Sequence, residues 1–229
     1  MPSSKKTLHF LTSAMATCAG IAVLGFGMST DWSVSEMECA PQKTDNYNGT
    51  AKVELGLFSC HLTKTSCPSF NADRKKFTVL ELLTDVGGTP FILHAIIIGL
   101  LALSLLGSAL SLLITLYNSV SNPYETYMGP VGLYTCSSIS SVLSFLALVI
   151  SLINTLVVGV PAELIQNNVA VDLRDVQTEL RVGFYLLIPF MASSVLAILS
   201  VYLYDHTAYT QRKEQQRPTE DAPKEIMMY

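Results

Sequence analysis

The sequence predicts an all-α membrane protein, a four-helix transmembrane bundle with a small extracellular β-sheet in the first loop. Half of its 229 residues are hydrophobic and 14% are charged, whereas about a quarter of the residues of a soluble domain are charged. Four long apolar segments contain no Asp, Glu, Lys or Arg. Each reaches the roughly 20 residues that a helix needs to cross the hydrocarbon core. Because backbone groups in lipid must be satisfied internally, such segments cross as helices.

The predicted spans divide the chain into nine parts. The spans are residues 8–28, 91–117, 131–160 and 183–204. The remaining parts are an N-terminus, a first loop, a turn, a second loop and a polar tail, at residues 1–7, 29–90, 118–130, 161–182 and 205–229. The polar composition of the tail predicts disorder.

The first span has an alternative interpretation as a cleaved signal peptide, since Lys5 and Lys6 precede the apolar segment. Its apolar core is about 20 residues long, however, and the cores of signal peptides run to about 7–15. The length favours an uncleaved helix.

The first loop carries the features of the outer side of a membrane. Asn48-Gly49-Thr50 is the only glycosylation sequon. Three of the five cysteines (Cys39, Cys60, Cys67) share this loop, and disulfides form in oxidising compartments. Because long loops translocate regardless of their charge, the termini remain as the basic, cytoplasmic side. We therefore expect a multi-pass protein of the plasma membrane with both termini in the cytoplasm.

Local patterns predict structure within the loops. Residues 52–58 alternate in part, which predicts a strand, and a helical turn follows it and leads into the second span. In the second loop, apolar residues recur at helical spacing, which predicts that the third or fourth helix extends out of the membrane. These residues are Ile165, Val169, Leu173, Val176 and Leu180. Pro189 predicts a kink near the start of the fourth helix.

Small residues on one face of the second and third spans predict close helix packing, since they let helix backbones approach in lipid. The candidates are Ser104, Gly107, Ser108, Ser137, Ser141 and Ser144. A polar pathway lined by serines is the less favoured alternative. Asn154 is the one strongly polar residue deep in a span. We expect it to bond across helices, with a functional ligand as the alternative.

The sequence contains no recognisable set of catalytic residues. The four histidines are far apart in sequence and none pairs with another at metal-ligand spacing. There is neither a C-x-x-C motif nor a Gly-rich phosphate loop. Spans without charges disfavour a proton-coupled transporter or voltage sensor, and scattered basic residues disfavour a nucleic-acid partner. We therefore expect no enzyme, no cofactor and no metal.

The loop cysteines leave their pairing open. Cys60 and Cys67 are close enough in sequence to bridge a hairpin, and Cys39 is then spare or pairs with one of the two instead. Cys18 and Cys136 lie in spans and are expected to be inert packing residues.

The C-terminus predicts a scaffold as one partner, beside the lipid bilayer and neighbouring membrane proteins. Met227 and Tyr229 place hydrophobic side chains at the last residue and two before it. This pattern is typical of ligands for PDZ domains, which add a C-terminal peptide as a strand.

The first loop resembles the signature of the claudin-like four-span superfamily. The residues that carry the resemblance are Trp32, then Gly56, Leu57 and Phe58, then Cys60 and Cys67. Phe58 departs from the pattern, which usually has Trp there. The resemblance implies a four-helix bundle with a small extracellular sheet and a disulfide between Cys60 and Cys67.

Longer segments are similar to the clarin family. They run through Tyr117-Asn118-Ser119-Val120-Ser121-Asn122-Pro123, Gly129-Pro130-Val131-Gly132-Leu133-Tyr134, Lys75-Lys76-Phe77-Thr78 and the start of the tail. The family implies a non-enzymatic protein that organises membrane proteins or membrane–cytoskeleton contacts, with a link to hearing cells. The alternatives are a claudin-like adhesion or paracellular barrier protein, and an auxiliary subunit of an ion channel.

Overall fold

The computed structural model describes residues 4–41, 49–65, 75–120, 129–168 and 171–215. The helices are α1 (Ser4–Ser29), α2 (Val79–Val86), α3 (Gly88–Val120), α4 (Gly129–Leu152), α5 (Val160–Asn168), α6 (Val182–Tyr185) and α7 (Leu187–Gln215). A π-helical turn at Ile153–Val157 continues α4. The strands are β1 (Asp31–Pro41), β2 (Gly49–Gly56), β3 (Ser59–Thr65), β4 (Lys75–Thr78) and β5 (Val171–Leu180).

The fold class predicted from the sequence is confirmed. Among the described residues, four helical segments are long and apolar enough to cross a membrane, at Lys6–Ser29, Gly88–Val120, Gly129–Val157 and Val182–Thr210. Each packs against two others: α1 against α3 and α7, and α4 against α3 and α7. Four helices in this cyclic arrangement form a bundle whose outer faces are free to meet lipid.

An antiparallel sheet lies beyond one end of the bundle. Its order is β4-β3-β2-β1-β5, so the segment between the third and fourth spans supplies an edge strand beside β1. Antiparallel β1 and β5 pair from Ser33↔Leu180 to Pro41↔Val171. The prediction of a helical extension across Leu173, Val176 and Leu180 was therefore wrong. Of that stripe, Ile165 does lie in the helix α5, while Val169 is outside the described residues.

An apolar core lies beneath the sheet. Side chains of β2 and β3 pack with α2 and α5, as in the cluster of Val53, Leu55, Leu62, Leu83 and Ile165. The sheet domain thus closes its own core, and the helical turn predicted before the second span is present as α2.

The fourth span begins as predicted and runs further than predicted. Leu186, between α6 and α7, keeps right-handed helical angles of φ −67° and ψ −14°, and its carbonyl accepts from the Phe190 N–H at 3.3 Å. Because Pro189 has no N–H, one hydrogen bond to the preceding turn is missing at this point. At the other end α7 continues to Gln215, so the prediction of disorder from residue 205 was wrong as far as 215.

Candidate functional site

Serine side chains join α3 and α4 along a seam. Ser104 Oγ donates to the Ser140 carbonyl at 2.8 Å and lies 2.7 Å from Ser144 Oγ. Two turns along the seam, Ser111 Oγ lies 2.7 Å from Ser137 Oγ. Because no hydrophobic force drives helices together in lipid, hydrogen bonds between hydroxyl groups on neighbouring helices help to hold them together. The seam is therefore a closed packing surface between neighbouring helices.

The small residues of the predicted set differ in their placement. Ser104, Ser108, Ser137 and Ser144 are buried. Gly107 faces α4 so closely that a Cβ there would lie 2.5 Å from Ser140 Oγ. Ser141 is only half-buried. Ser140, the residue beside it, faces α3 instead.

The α1–α7 pair uses the same chemistry more sparingly. Ser13 Oγ donates to the Ala197 carbonyl at 3.0 Å. Gly20 lies directly against Ser193, where a Cβ would collide with the serine hydroxyl. Close backbone approach thus recurs on the opposite side of the bundle.

Trp32 joins the sheet to the bundle. Its indole Nε1 donates to the Gly27 carbonyl at 2.9 Å, and its own carbonyl accepts from the Arg181 N–H at 2.8 Å. The ring is buried and meets Phe184 edge to face at 6.5 Å. Gly183 lies so close that a Cβ would be 2.5 Å from the indole Cδ1. Trp32 therefore connects β1 to α1 and α6 through its side chain and to the residue before α6 through its backbone.

The remaining signature residues form the turn between β2 and β3. The Leu57 carbonyl lies 2.8 Å from His94 Nε2, and the Phe58 carbonyl accepts from the Val79 N–H at 3.0 Å. At Gly56 a Cβ would meet the Ser59 carbonyl at 3.0 Å. Leu57 is buried, whereas Phe58 is half exposed. A phenyl ring in place of the usual indole thus lies at the surface of the junction.

The cysteines differ from the pairing that the superfamily resemblance implies. Cys60 is a free thiol, and Cys39 is disulfide-bonded. Cys60 lies in β3 with its side chain in the sheet core, beside Val53 and Leu62. Burial, with a smaller contribution from the nearby Asp31 charge, raises the pKa of this thiol to about 12. The expected bridge between Cys60 and Cys67 is therefore wrong, because Cys60 is not bonded to another cysteine. Cys67 itself lies outside the described residues.

Asn154 lies near the end of the third span. It lies in the π-helical turn, closed by the Val158 N–H donating to the Ile153 carbonyl at 3.1 Å. Its side chain is buried, yet Oδ1 has no hydrogen-bond partner among the described residues. The expected bond across helices is therefore not made by this oxygen. Asn154 instead lines a small cavity beneath Trp32 and the sheet.

The outer face of the sheet is charged and open. Glu36, Glu38, Lys52 and Asp175 border a shallow groove of about 390 Å³. Lys52 Nζ lies 3.1 Å from Glu36 Oε1. Exposed ion pairs of this kind contribute about 0–1 kcal/mol. This ion pair therefore contributes little to holding the fold.

Several predicted positions fall outside the described residues. These are Asn48 of the sequon, Cys67, and Met227 and Tyr229 of the C-terminus. Within the described ranges, no group of three or more His, Cys, Asp or Glu side chains could hold a metal ion.

Comparison with known proteins gives full-length matches. No family model matches the chain. It is 30% identical to mouse Clarin-3 and 29% identical to the human and rat proteins of that name. Each alignment covers 100% of both chains. The chain belongs to the clarin family. The clarin assignment confirms the resemblance in the sequence, and with the four apolar helices it establishes a multi-pass, tetraspan membrane protein.

Proposed function

We propose that this clarin is a non-enzymatic organiser that holds other membrane proteins beside it in one plasma membrane. Its termini face the cytoplasm, its sheet faces outward and Asn48 carries a glycan. The C-terminal Met227 and Tyr229 engage a PDZ scaffold, which links the assembly to the membrane cytoskeleton, as in hearing cells.

The wide apolar surface of the bundle is the observation that carries this proposal. Of the 18 most apolar consecutive residues of each span, 28% are buried inside the structure in three spans and 39% in the first span. Large side chains such as Leu103, Leu106 and Leu113 are more than half exposed. Such a surface is available to lipid and to the helices of neighbouring proteins.

The lipid-facing side of α3 is suited to helix association at one point. Ala95 and Gly99 are four residues apart and both are exposed. A Cβ at Gly99 would meet nothing within 4 Å. Small residues at this spacing let a second helix approach closely. Adding bulk at Gly99 should therefore block a lateral partner without disturbing the chain's own bundle.

The test is recovery of neighbouring membrane proteins with the full chain in native membranes. We expect a reproducible partner set for the wild type and for Leu110→Phe, which adds bulk at a lipid-facing site on the same helix. Gly99→Leu should reach the surface and lose the partners that pack on this face. Failure of the wild type to recover any specific partner would contradict the proposal.

The charged outer face of the sheet favours a second candidate, a claudin-like barrier or adhesion protein. The groove beside Glu36, Glu38 and Lys52 offers charges that a facing cell or a passing ion would meet. Charge reversal at Glu36 and Glu38 should change the ion selectivity of an epithelial monolayer only if the sheet acts between cells.

A further inference from the structure

An open cavity lies at the base of the sheet, beside the ends of the first and fourth spans. Its volume is about 390 Å³, within the range of about 300–1,000 Å³ that is typical of small-molecule sites. Residues from the end of α1, from β1 and β2 and from the start of α6 line it, among them Phe26, Asp31, Val34, Glu54, Arg181 and Val182. This basal cavity therefore combines membrane-facing and charged residues.

The residues of the basal cavity follow one another from the membrane outward. Phe26 belongs to the first span and is more than half exposed. Asp31 lies two residues beyond that span, and Arg181 immediately precedes the fourth. Glu54 pairs with Val34, which is three residues further along β1 than Asp31, or about 10 Å at the rise of a strand. The order is an apolar ring, then two opposite charges, then a second carboxylate.

The register of the sheet places acidic side chains on both sides of Val34. Val34 of β1 pairs with Glu54 of β2 and with Glu179 of β5. Residues directly opposite each other on neighbouring strands point to the same face of a sheet. Val34 is buried and lines the cavity with Glu54. The cavity therefore has an apolar floor with a carboxylate at its edge.

Arg181 supplies the positive charge of the basal cavity. Its backbone N–H donates to the Trp32 carbonyl at 2.8 Å, which fixes the residue at the junction of sheet and bundle. Its guanidinium lies 3.5 Å from a Glu179 carboxylate oxygen, and both side chains are exposed. Because an exposed ion pair contributes little to stability, Arg181 can exchange this carboxylate for another anion. Guanidinium groups bind phosphate through two parallel hydrogen bonds.

The charges of the basal cavity select the class of ligand. Arg181 attracts an anion such as phosphate, whereas Asp31 and Glu54 attract a cation and repel an anion. A simple anion would meet both carboxylates, and a simple cation would meet the guanidinium. A zwitterionic phospholipid headgroup carries a phosphate and, beyond a short carbon chain, an ammonium group. It therefore matches both signs, and its acyl chains match the exposed Phe26 in the span.

We propose that the basal cavity binds the headgroup of a zwitterionic phospholipid on the sheet side of the membrane. Arg181 holds the phosphate, Asp31 and Glu54 face the ammonium group, and the acyl chains run beside Phe26. The junction of sheet and bundle thus carries one specifically bound lipid, in addition to the lipid that surrounds the spans. This lipid and the lateral partners of the bundle occupy different surfaces, so each can be tested without the other.

The test is native mass spectrometry of the full chain in detergent micelles, titrated with phosphatidylcholine or phosphatidylglycerol that carries the same acyl chains. Both lipids contain the phosphate, but phosphatidylglycerol lacks the ammonium group, so the ratio of their affinities reports on the carboxylates. The variants are Arg181→Gln and Glu54→Gln. The matched controls are Arg174→Gln and Glu36→Gln, because both residues are exposed on the same sheet and do not line the cavity.

We expect the wild type to bind phosphatidylcholine more tightly than phosphatidylglycerol. Arg181→Gln should weaken binding of phosphatidylcholine about fivefold, which corresponds to about 1 kcal/mol, and Arg174→Gln should not. Glu54→Gln should reduce the preference for phosphatidylcholine, because it removes the repulsion of an anionic headgroup, whereas Glu36→Gln should keep the preference. Phosphatidylethanolamine has the same two charges and should also bind more tightly than phosphatidylglycerol; the tighter of the two zwitterions is the preferred headgroup.

Equal affinity of the wild type for phosphatidylcholine and phosphatidylglycerol would overturn the proposal. An unchanged affinity for phosphatidylcholine in Arg181→Gln would overturn it as well, because the guanidinium would then not hold the phosphate. An unchanged preference in Glu54→Gln would show that no ammonium group is recognised there, and this result decides even where Arg181→Gln does not fold.

Discussion

The serine seam between α3 and α4 and the core beneath the sheet hold one chain together by different means. In the seam, small side chains bring the backbones together and hydroxyls bond across, as between Ser104 and Ser144 at 2.7 Å. In the sheet core, side chains such as Val53, Leu83 and Ile165 are removed from water. The hydrophobic effect drives the second region and is absent between helices in lipid. Single substitutions should therefore cost more at the sheet and its junction than in the seam.

Trp32→Ala tests the junction and should have the largest effect. It removes a buried indole that touches Phe184 and bonds the Gly27 carbonyl, so we expect a loss of about 3–5 kcal/mol of unfolding free energy. Trp32→Phe keeps an aromatic ring, loses the bond and should lose less. Unfolding followed by far-UV circular dichroism in nanodiscs measures both. Equal stability of Trp32→Ala and the wild type would contradict this account of the junction.

Cys39→Ser tests the sheet next. Loss of its disulfide should cost about 2–4 kcal/mol, with less protein delivered to the cell surface. Cys60→Ala is the control, because it removes a free buried thiol and no bridge. Surface labelling of both variants measures delivery. A stronger defect in Cys60→Ala than in Cys39→Ser would restore the pairing implied by the superfamily.

Ser104→Ala tests the contribution of the serine seam to stability. It removes bonds to the Ser140 carbonyl and the Ser144 hydroxyl, and such bonds within membranes contribute about 0.6 kcal/mol on average and at most about 1.7. The control is Ser200→Ala, whose exposed hydroxyl bonds only the Leu196 carbonyl of its own helix. Unfolding in the same nanodiscs should rank Trp32→Ala well above Ser104→Ala, and Ser104→Ala above Ser200→Ala. A seam variant as damaging as Trp32→Ala would remove the contrast.

The pH dependence of Cys60 is confined to alkaline conditions and has no effect on stability at neutral pH. Burial raises the pKa of this thiol from 9.0 to about 12, so the folded state binds its proton more tightly. The resulting stability is complete below about pH 9 and falls as the pH rises from 9 towards 12. Cys60→Ala should show a shallower loss of stability across this window than the wild type. Identical alkaline profiles would show that the thiol does not contribute.

The sequence predicted the bundle because lipid imposes a length and an apolar composition that are visible residue by residue. It did not predict β5, because the partner of that strand, β1, is far away in the sequence. Asp175, at φ 52°, lies in the stretch where Glu36 pairs with Gln177 but Glu38 with Arg174. This bulge breaks the strict alternation of a strand, which left Leu173, Val176 and Leu180 at helical spacing.

The cysteines and Asn154 show a second limit of sequence reasoning. The spacing of the cysteines left their pairing open and the superfamily resemblance implied a bridge between Cys60 and Cys67, but Cys60 is a free thiol in the sheet core. The sequence shows that Asn154 is an unusual polar residue in a span, but only the structure shows that it lies in a π-helical turn beside a small cavity. Both outcomes depend on which face of an element a side chain occupies.

The central claim, that this clarin acts beside other proteins within one membrane, is tested most directly by electrical resistance across an epithelial monolayer that expresses it. Surface arrival is verified by a glycan-dependent mass shift that Asn48→Gln removes. The account predicts unchanged resistance and ion selectivity with glycosylated protein at the surface. A clear change in either would contradict it and assign the sheet a role between cells.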